Sequence, residues 1–344
     1  MVSIAELGLA RTPAQAEGTA SIAAPLDDAL ARIVERFNRQ LGTALPPVAE
    51  LVRHIEKYRG KMLRPTVTLL TGMACDARGH ALTEAHITVG AVVEMIHLAT
   101  LVHDDVLDEA DIRRGAQTIN AWRGNEAAVM LGDFLLSRSF HLCSTLDEQK
   151  TALRVGEVTA TVCEGEMLQL HHRGDFALTE RTYYDIVERK TASLIAVACE
   201  LGAHHAGADA ETVRRMHEYG RLIGVAFQIQ DDLLDLVGEE DIVGKSLGKD
   251  LDKEKMTLPL IHHLAALPNA ARIEAARLIH ARAFDNGHRH TLRARLEATA
   301  SIAYARAAAS ALVEQAKVCL DPLPDSPAKA LLRSMADAVI TRQL

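Results

Sequence analysis

The stretch that decides the fold is "AVVEMIHLATLVHDDVLDEADIRRG", residues 91–115. Its first half is almost wholly apolar, and the spacing of its apolar side chains predicts one long buried helix over residues 83–108. Its second half is dense in carboxylates and ends in the adjacent Arg113 and Arg114. A helix suited to a protein core therefore ends in a cluster of acids followed by a pair of bases, which predicts a charged site at that end.

A second stretch, "FQIQDDLLDLVG" at residues 227–238, repeats the arrangement. Asp104 and Asp108 lie four residues apart on one helix face, where like charges repel. One DDxxD is most simply a solvated acidic face, but two that end two apolar helices are harder to explain in that way. Carboxylates that face each other across a bundle need cations between them, and Mg²⁺ prefers such oxygen ligands and shares its coordination with phosphates. The predicted metal ligands are Asp104, Asp105, Asp108, Asp231, Asp232 and Asp235.

An anion held in this way predicts basic side chains close by. Arg113 and Arg114 follow the first cluster directly, although an ordinary structural ion pair is their alternative role. The segment "GKMLRP" supplies Lys61 and Arg64. Further lysines follow the second cluster, and each of them alone is most simply surface charge.

Composition predicts an all-α fold. Hydrophobic residues make up 48% of the 344 residues, aromatic residues only 3%, and Ala and Leu favour helix. We expect a loose tail at 1–25 and a single helical domain at 26–344. The predicted helices cover 27–42, 46–59, a third beginning near Pro65, 83–108, 126–145, 149–172, 179–203, 210–237, one from Pro259, 269–283, 288–318 and 326–342, with a polar break at 111–125 and a loop at 238–256.

Several classes of protein are disfavoured. A net charge of −8 gives no basic surface for nucleic acid. No apolar run is expected to span a membrane. Five scattered cysteines without a CxxC motif indicate buried, reduced thiols in a cytoplasmic protein. The adjacent His pairs, among them residues 204–205, are expected at surface helix ends and not at a zinc site, because no Cys or carboxylate lies at closed-site spacing.

Seven motifs in order carry a resemblance to a known family. They are "GKMLRP", "HLATLVHDDVLDEADIRRG", "GNEAAVMLGDFLLSRSF", "EGEMLQL", "KTASL", "FQIQDDLLD" and "GKSLGKDLDKEKMTLPLI". Over roughly residues 28–340 the chain resembles the all-trans polyprenyl diphosphate synthases of the medium- to long-chain type. The resemblance implies a large antiparallel helical bundle around a central cavity, and a homodimer. It implies Mg²⁺-dependent, head-to-tail condensation of isopentenyl diphosphate with an allylic diphosphate, using about three Mg²⁺ ions per site.

The resemblance also implies roles for individual residues. Both aspartate clusters would bind Mg²⁺ on the allylic diphosphate, and Arg113 would contact that diphosphate. The implied isopentenyl diphosphate site consists of Lys61, Arg64, His97 and Arg114. The implied polar ring around the allylic group consists of Lys190, Thr191, Gln228, Lys245 and Lys255. One position departs from the family: Glu254 stands where the family usually has Gly before its lysine, which leaves the local loop conformation open.

Small residues before the first cluster predict a long product. Ile96, Ala99 and Thr100 would line the hydrocarbon channel, and no aromatic residue that would close it lies between Ala74 and Trp122. We therefore expect an all-trans product longer than about fifteen carbons. Three alternatives stay open: a synthase of farnesyl or geranylgeranyl length, a class I terpene cyclase, or a subunit of a two-component synthase. The roles of Glu109 and Asp111 stay open between support of the metal-binding aspartates and ion pairing.

Overall fold

The computed structural model describes residues 13–58, 60–76, 82–238, 248–280 and 286–341, and helices form nearly all of the regular structure there. The α-helices are α1 (Pro13–Leu41), α2 (Pro46–Ile55), α3 (Leu63–Cys75), α4 (Glu84–Leu107), α5 (Ile119–Arg123), α6 (Asn125–Cys143), α7 (Gln149–His171), α8 (Glu180–Val187), α9 (Ser193–His205), α10 (Ala210–Val237), α11 (Lys249–Asp252), α12 (Leu258–Ala266), α13 (Asn269–His280), α14 (Asn286–Ala298), α15 (Ser301–Cys319) and α16 (Pro327–Ile340). Strands β1 (Ile112–Arg113) and β2 (Ala116–Gln117) form an antiparallel hairpin, the one sheet within those residues. The predicted all-α fold is confirmed.

Residue contacts divide the chain into two compact units. The first comprises Met1–Thr159, Leu194–Gly220 and Cys319–Met335, and the second comprises Ala160–Ser193, Arg221–Val318 and Ala336–Leu344. The single helical domain expected over residues 26–344 stays a prediction.

Helix α4 lies at the centre of the first unit, where it packs against α1, α3 and α6. It begins and ends within one residue of the predicted bounds, with Thr83 and His86 forming a capping box at its start. A helix that is apolar on all faces needs neighbours on all sides, and Val92, Met95 and Leu98 are buried. By length and composition alone α4 is apolar enough to cross a membrane, but 78% of its most apolar stretch is buried inside the protein.

A π-helical segment interrupts the helix predicted over residues 179–203. This segment, Glu188–Ala192, belongs to the second unit and lies between α8 and α9 in the chain. Two glycines allow neighbouring helices to approach it: a Cβ at Gly165 would lie 2.5 Å from the Lys190 backbone nitrogen, and one at Gly224 would lie 2.5 Å from the Ala192 Cα. Single-turn π segments often mark functional sites, and this one carries Lys190 and Thr191.

Three sequence-based expectations need correction. The tail expected at 1–25 is helical from Pro13, because its Ala-rich composition favours helix. The helix expected over 288–318 is broken into α14 and α15, since Ala300 adopts a left-handed φ of 55° that ends regular helix. Cys163 is exposed, so not every thiol is buried, although all five cysteines are free.

Candidate active site

The first aspartate cluster closes α4, where Asp105 is almost completely buried with 1% of its side chain exposed. The Arg113 guanidinium donates to Asp105 Oδ1 at 2.8 Å from Nε and 2.7 Å from Nη2. Asp105 Oδ2 is buried with no hydrogen-bond partner in the structure. Burial raises the pKa of Asp105, and Arg113 offsets part of that rise. A buried carboxylate oxygen without a partner fits a divalent cation, because hard oxygen donors are what Mg²⁺ prefers.

The hairpin that follows sends its two arginines to different partners. Arg114 and Gly115 form its turn with φ of 50° and 75°, both in the left-handed region. Arg113 contacts Asp105, whereas the Arg114 guanidinium donates to the Tyr58 carbonyl and lies over Gly60, where a Cβ would collide with it. The glycine of "GKMLRP" therefore makes room for an arginine that is distant in sequence.

A group of cations lies beside the first cluster in the same unit. The pKa of His97 is held well below its usual value by burial and then by the positive charges of Arg64 and Arg114, so the imidazole is neutral. Burial lowers the pKa of Arg64 to about 10, while the Glu94 carboxylate opposes that shift. Glu94 is itself buried. Burial lowers the pKa of Arg114, and the Glu94 carboxylate opposes that shift as well. The structure thus brings together three of the four residues expected to bind a second diphosphate.

The fourth residue, Lys61, is exposed on the turn before α3, where Met62 has a φ of 52°. His103, next to Asp104, contacts α6: its Nε2 lies 3.2 Å from the Val129 carbonyl oxygen. This contact fits a packing role for His103.

In the second aspartate cluster, which lies in the other unit, Asp232 is held by neutral donors. The Tyr183 hydroxyl donates to Asp232 Oδ2 at 2.6 Å, and Gln228 Nε2 donates to Asp232 Oδ1 at 2.8 Å. Thr191 Oγ1 donates to Gln228 Oε1 at 3.0 Å, which fixes the orientation of that amide. Burial raises the pKa of Asp232, as do the nearby carboxylates of Asp250 and Asp231, and the two hydrogen bonds offset only part of the rise.

Asp235 is tied to the chain that follows the loop. Its Oδ2 accepts from the Asp250 backbone N–H at 3.0 Å, and its carbonyl accepts from Gly248 at 2.9 Å. Lys255 Nζ lies 3.9 Å from Asp250 Oδ1, and its backbone N–H donates to the Asp250 carbonyl at 2.8 Å. Asp250 therefore links the cluster to Lys255. Lys245 lies outside the described residues.

Lys190 is paired within the second unit. Its Nζ lies 2.8 Å from Glu166 Oε2 and 2.6 Å from Oε1. Lys190, Thr191, Gln228, Asp232 and Lys255 all line one pocket of this unit. Five of the residues that the sequence predicts for the allylic side are therefore neighbours in the fold.

Glu254, the departure from the family pattern, adopts a φ of 54°. This is the left-handed region that glycine enters without cost. Its carbonyl accepts from the Gly174 N–H at 3.0 Å. The backbone at this position thus has the conformation that glycine would favour, although the side chain is glutamate.

The residues expected along the product channel lie on α4. Ile96 and Ala99 are fully buried, and the partly exposed Thr100 donates its hydroxyl to the His97 carbonyl at 2.8 Å. Their place along a hydrocarbon channel stays a prediction, as does the facing of the two aspartate clusters.

Sequence reasoning missed four residues with clear contacts at these sites: Glu94, Glu166, Tyr183 and Asp250. Glu94 had a signal, because it is the one charge in the apolar run "AVVEMIHLATLV". Glu166 stood within the quoted motif "EGEMLQL". Tyr183 had none, since aromatic residues on a short helix are usually core.

Comparisons with known proteins agree on one family. The family profile described as polyprenyl synthetase matches residues 46–291. The chain is 35% identical over 306 residues to the octaprenyl diphosphate synthase of Escherichia coli, covering 88% of this chain and 92% of that protein. The crystal structure of a decaprenyl diphosphate synthase from Rhodobacter capsulatus matches with a TM-score of 0.87 and 32% identity, covering 95% and 99% of the two chains. A polyprenyl synthase from Caulobacter crescentus, complexed with calcium and isoprenyl diphosphate, matches with a TM-score of 0.86 and 28% identity, covering 95% and 98%.

Proposed function

The chain belongs to the polyprenyl synthetase family, and we propose that it condenses isopentenyl diphosphate head-to-tail with an allylic diphosphate to give an all-trans polyprenyl diphosphate longer than C15. The observation that carries the proposal is the first unit's pairing of two sites. Asp105, buried beside Arg113, offers an oxygen without a partner to a cation. Arg64, Arg114 and neutral His97 form a separate cationic group for a second anion.

The aspartates and bases would divide the work by chemistry. Asp104, Asp105 and Asp108, and separately Asp231, Asp232 and Asp235, would hold about three Mg²⁺ ions through carboxylate oxygens. Bound Mg²⁺ would neutralise the negative charge of the leaving diphosphate. Arg113 would bind the same diphosphate. Lys61, Arg64, His97 and Arg114 would bind isopentenyl diphosphate, with the neutral imidazole of His97 donating one hydrogen bond.

The reaction breaks the C–O bond of the allylic diphosphate, and the isopentenyl double bond supplies the electron pair for the new C–C bond. One proton then leaves the adduct, and the released diphosphate would accept it. Residues around the allylic group must stabilise the positive charge of the allylic carbocation without forming a bond to it. Thr191 and Gln228, joined by their hydrogen bond, present oxygen dipoles and no strong nucleophile.

Product mass separates this function from its alternatives. The purified full chain should extend farnesyl diphosphate with Mg²⁺ and isopentenyl diphosphate to linear products above C20. A product that stops at C20, or one that stops at C15 when a shorter allylic primer is supplied, would indicate the shorter synthases, and a cyclic hydrocarbon would indicate a terpene cyclase. No turnover with any allylic primer would indicate a subunit of a two-component synthase, although both clusters are intact.

Thr100 is the sharpest test of the product channel. A Thr100→Phe substitution should shorten the product, because a phenyl ring one turn before Asp104 would close the channel. The matched control is Thr100→Val, which keeps the size and removes the hydroxyl that donates to the His97 carbonyl. An unchanged product distribution in Thr100→Phe would place this residue outside the channel wall.

We also propose a cytoplasmic homodimer. Free cysteines fit a reducing compartment. Helix α6 exposes apolar side chains that a second copy would cover, namely Val129, Met130 and Phe140. Light scattering on the purified chain should give twice the 37.4 kDa monomer mass, and a monomer would contradict this assignment.

A further inference from the structure

Three potential metal ligands meet in the first unit. None of them belongs to the aspartate clusters or their neighbouring motifs. Glu148 precedes α7, while His204 and His205 end α9. The carboxylate and the first imidazole are separated by 56 positions along the chain. Sequence reasoning placed this histidine pair at a surface helix end without a carboxylate, and the fold supplies one.

The ligand atoms are close enough to share one ion. Glu148 Oε1 lies 2.5 Å from His204 Nε2, and Glu148 Oε2 lies 3.6 Å from His205 Nε2. Ligands at about 2.0–2.1 Å around tetrahedral Zn²⁺ are roughly 3.3 Å apart, so modest side-chain shifts would seat an ion. Among the described residues, this is the one group of three such side chains whose ligand atoms all lie within 4.8 Å of one another.

A supporting contact orients the carboxylate. The Thr151 hydroxyl donates to Glu148 Oε2 at 2.6 Å and also lies 3.0 Å from His205 Nε2. Hydrogen bonds of this kind hold metal ligands in place in known sites. His86, which neighbours His205, is already held by Thr83 and the Gly202 carbonyl and is therefore not counted as a ligand.

The group is accessible from a surface pocket. Ala85, Leu146, Asp147 and Gly207 line the same pocket as the three ligands. An ion could enter through it, and water or Asp147 could occupy a fourth position. Two imidazoles and a carboxylate suit Zn²⁺, whereas Mg²⁺ prefers oxygen ligands alone.

We propose that Glu148, His204 and His205 form a Zn²⁺ site, distinct from the aspartate clusters, that joins the start of α7 to the end of α9. The site has three protein ligands and one exchangeable position. Its role is to hold these two helix ends together, and the condensation reaction does not pass through it.

Co²⁺ provides the direct test because its visible absorption reports imidazole ligands and tetrahedral geometry. Untagged full-length protein carrying Cys163→Ser is stripped with chelator and titrated with Co²⁺ in excess Mg²⁺, which fills sites made only of oxygen. We expect one tetrahedral Co²⁺ per chain, its displacement by one Zn²⁺, and a higher melting temperature with Zn²⁺. Absence of that spectrum in this protein would overturn the proposal.

Variants locate the ion. His205→Gln and Glu148→Gln should each weaken Co²⁺ binding by at least about 100-fold. If circular dichroism shows that either variant fails to fold, His204→Gln takes its place, because His204 is partly exposed. The matched control is His172→Gln, which also alters an adjacent histidine pair with a nearby carboxylate, since His172 Nδ1 lies 2.9 Å from Asp175. Equal binding in the control and in the Glu148 and His205 variants would refute the site.

Discussion

Asp105 and Asp232 hold the same place in the two aspartate clusters but differ in the side chains that contact them. Asp105 is offset by a full positive charge on Arg113 and keeps one oxygen without a partner. Asp232 is held by two neutral donors, one on each oxygen, and has the carboxylate of Asp250 nearby. The same motif therefore places a carboxylate in two different electrostatic environments, and the surrounding fold sets the difference between them.

Removing the charge that balances the first cluster should have the largest effect. Arg113→Gln leaves Asp105 buried without its cation and removes the proposed contact to the allylic diphosphate. We expect kcat/KM to fall by about 100-fold or more, and stability to fall by about 3 kcal/mol, as for a broken buried ion pair. Steady-state kinetics and urea unfolding measure the two losses. Arg123→Gln, which removes an exposed pair with Glu50, is the control and should cost little.

A near-wild-type Arg113→Gln enzyme would mean that the guanidinium only shapes the hairpin. In that case the first cluster would be balanced without Arg113, and the contrast between the clusters would be lost.

The neutral support of Asp232 should matter less. Tyr183→Phe removes one donor from buried Asp232, and we expect a loss of about 1–2 kcal/mol in stability and roughly tenfold in kcat/KM. Thermal unfolding and kinetics at saturating Mg²⁺ check both values. The matched control is Tyr184→Phe. The ring of Tyr184 contacts Tyr183, but the hydroxyl that donates to Asp232 belongs to Tyr183. A loss equal to that in Arg113→Gln would show that neutral and charged support are equivalent here.

The smallest effect concerns the backbone near the second cluster. Glu254→Gly should relieve the cost of a left-handed φ and stabilise the protein by up to about 1 kcal/mol. Glu56→Gly, where φ is −57°, should instead destabilise it by about the same amount. Differential scanning calorimetry on both variants checks the opposite signs. Destabilisation by both would mean that contacts of the Glu254 side chain outweigh the backbone strain.

Local patterns predicted the parts of the molecule that depend on local chemistry. The bounds of α4 could be predicted because its apolar run is followed by charged residues. The aspartate clusters could be recognised because several carboxylates rarely lie so close together in a sequence. The π-helical segment was invisible, since apolar spacing continues through it, and Ala300 gave no sign of a break. Pairings such as Lys190 with Glu166 depend on which helices become neighbours, and that information is not local.

The π-helical segment also has a consequence for changes in chain length. Each residue advances an α-helix by about 100°, so the wide turn at Glu188–Ala192 amounts to one surplus residue held inside a continuous helix. A one-residue deletion within it would be absorbed as ordinary helix, yet it would rotate everything on one side by that angle. Tyr183 would then lose its alignment with Asp232, to which its hydroxyl donates. This short stretch therefore sets the angular position of that hydroxyl.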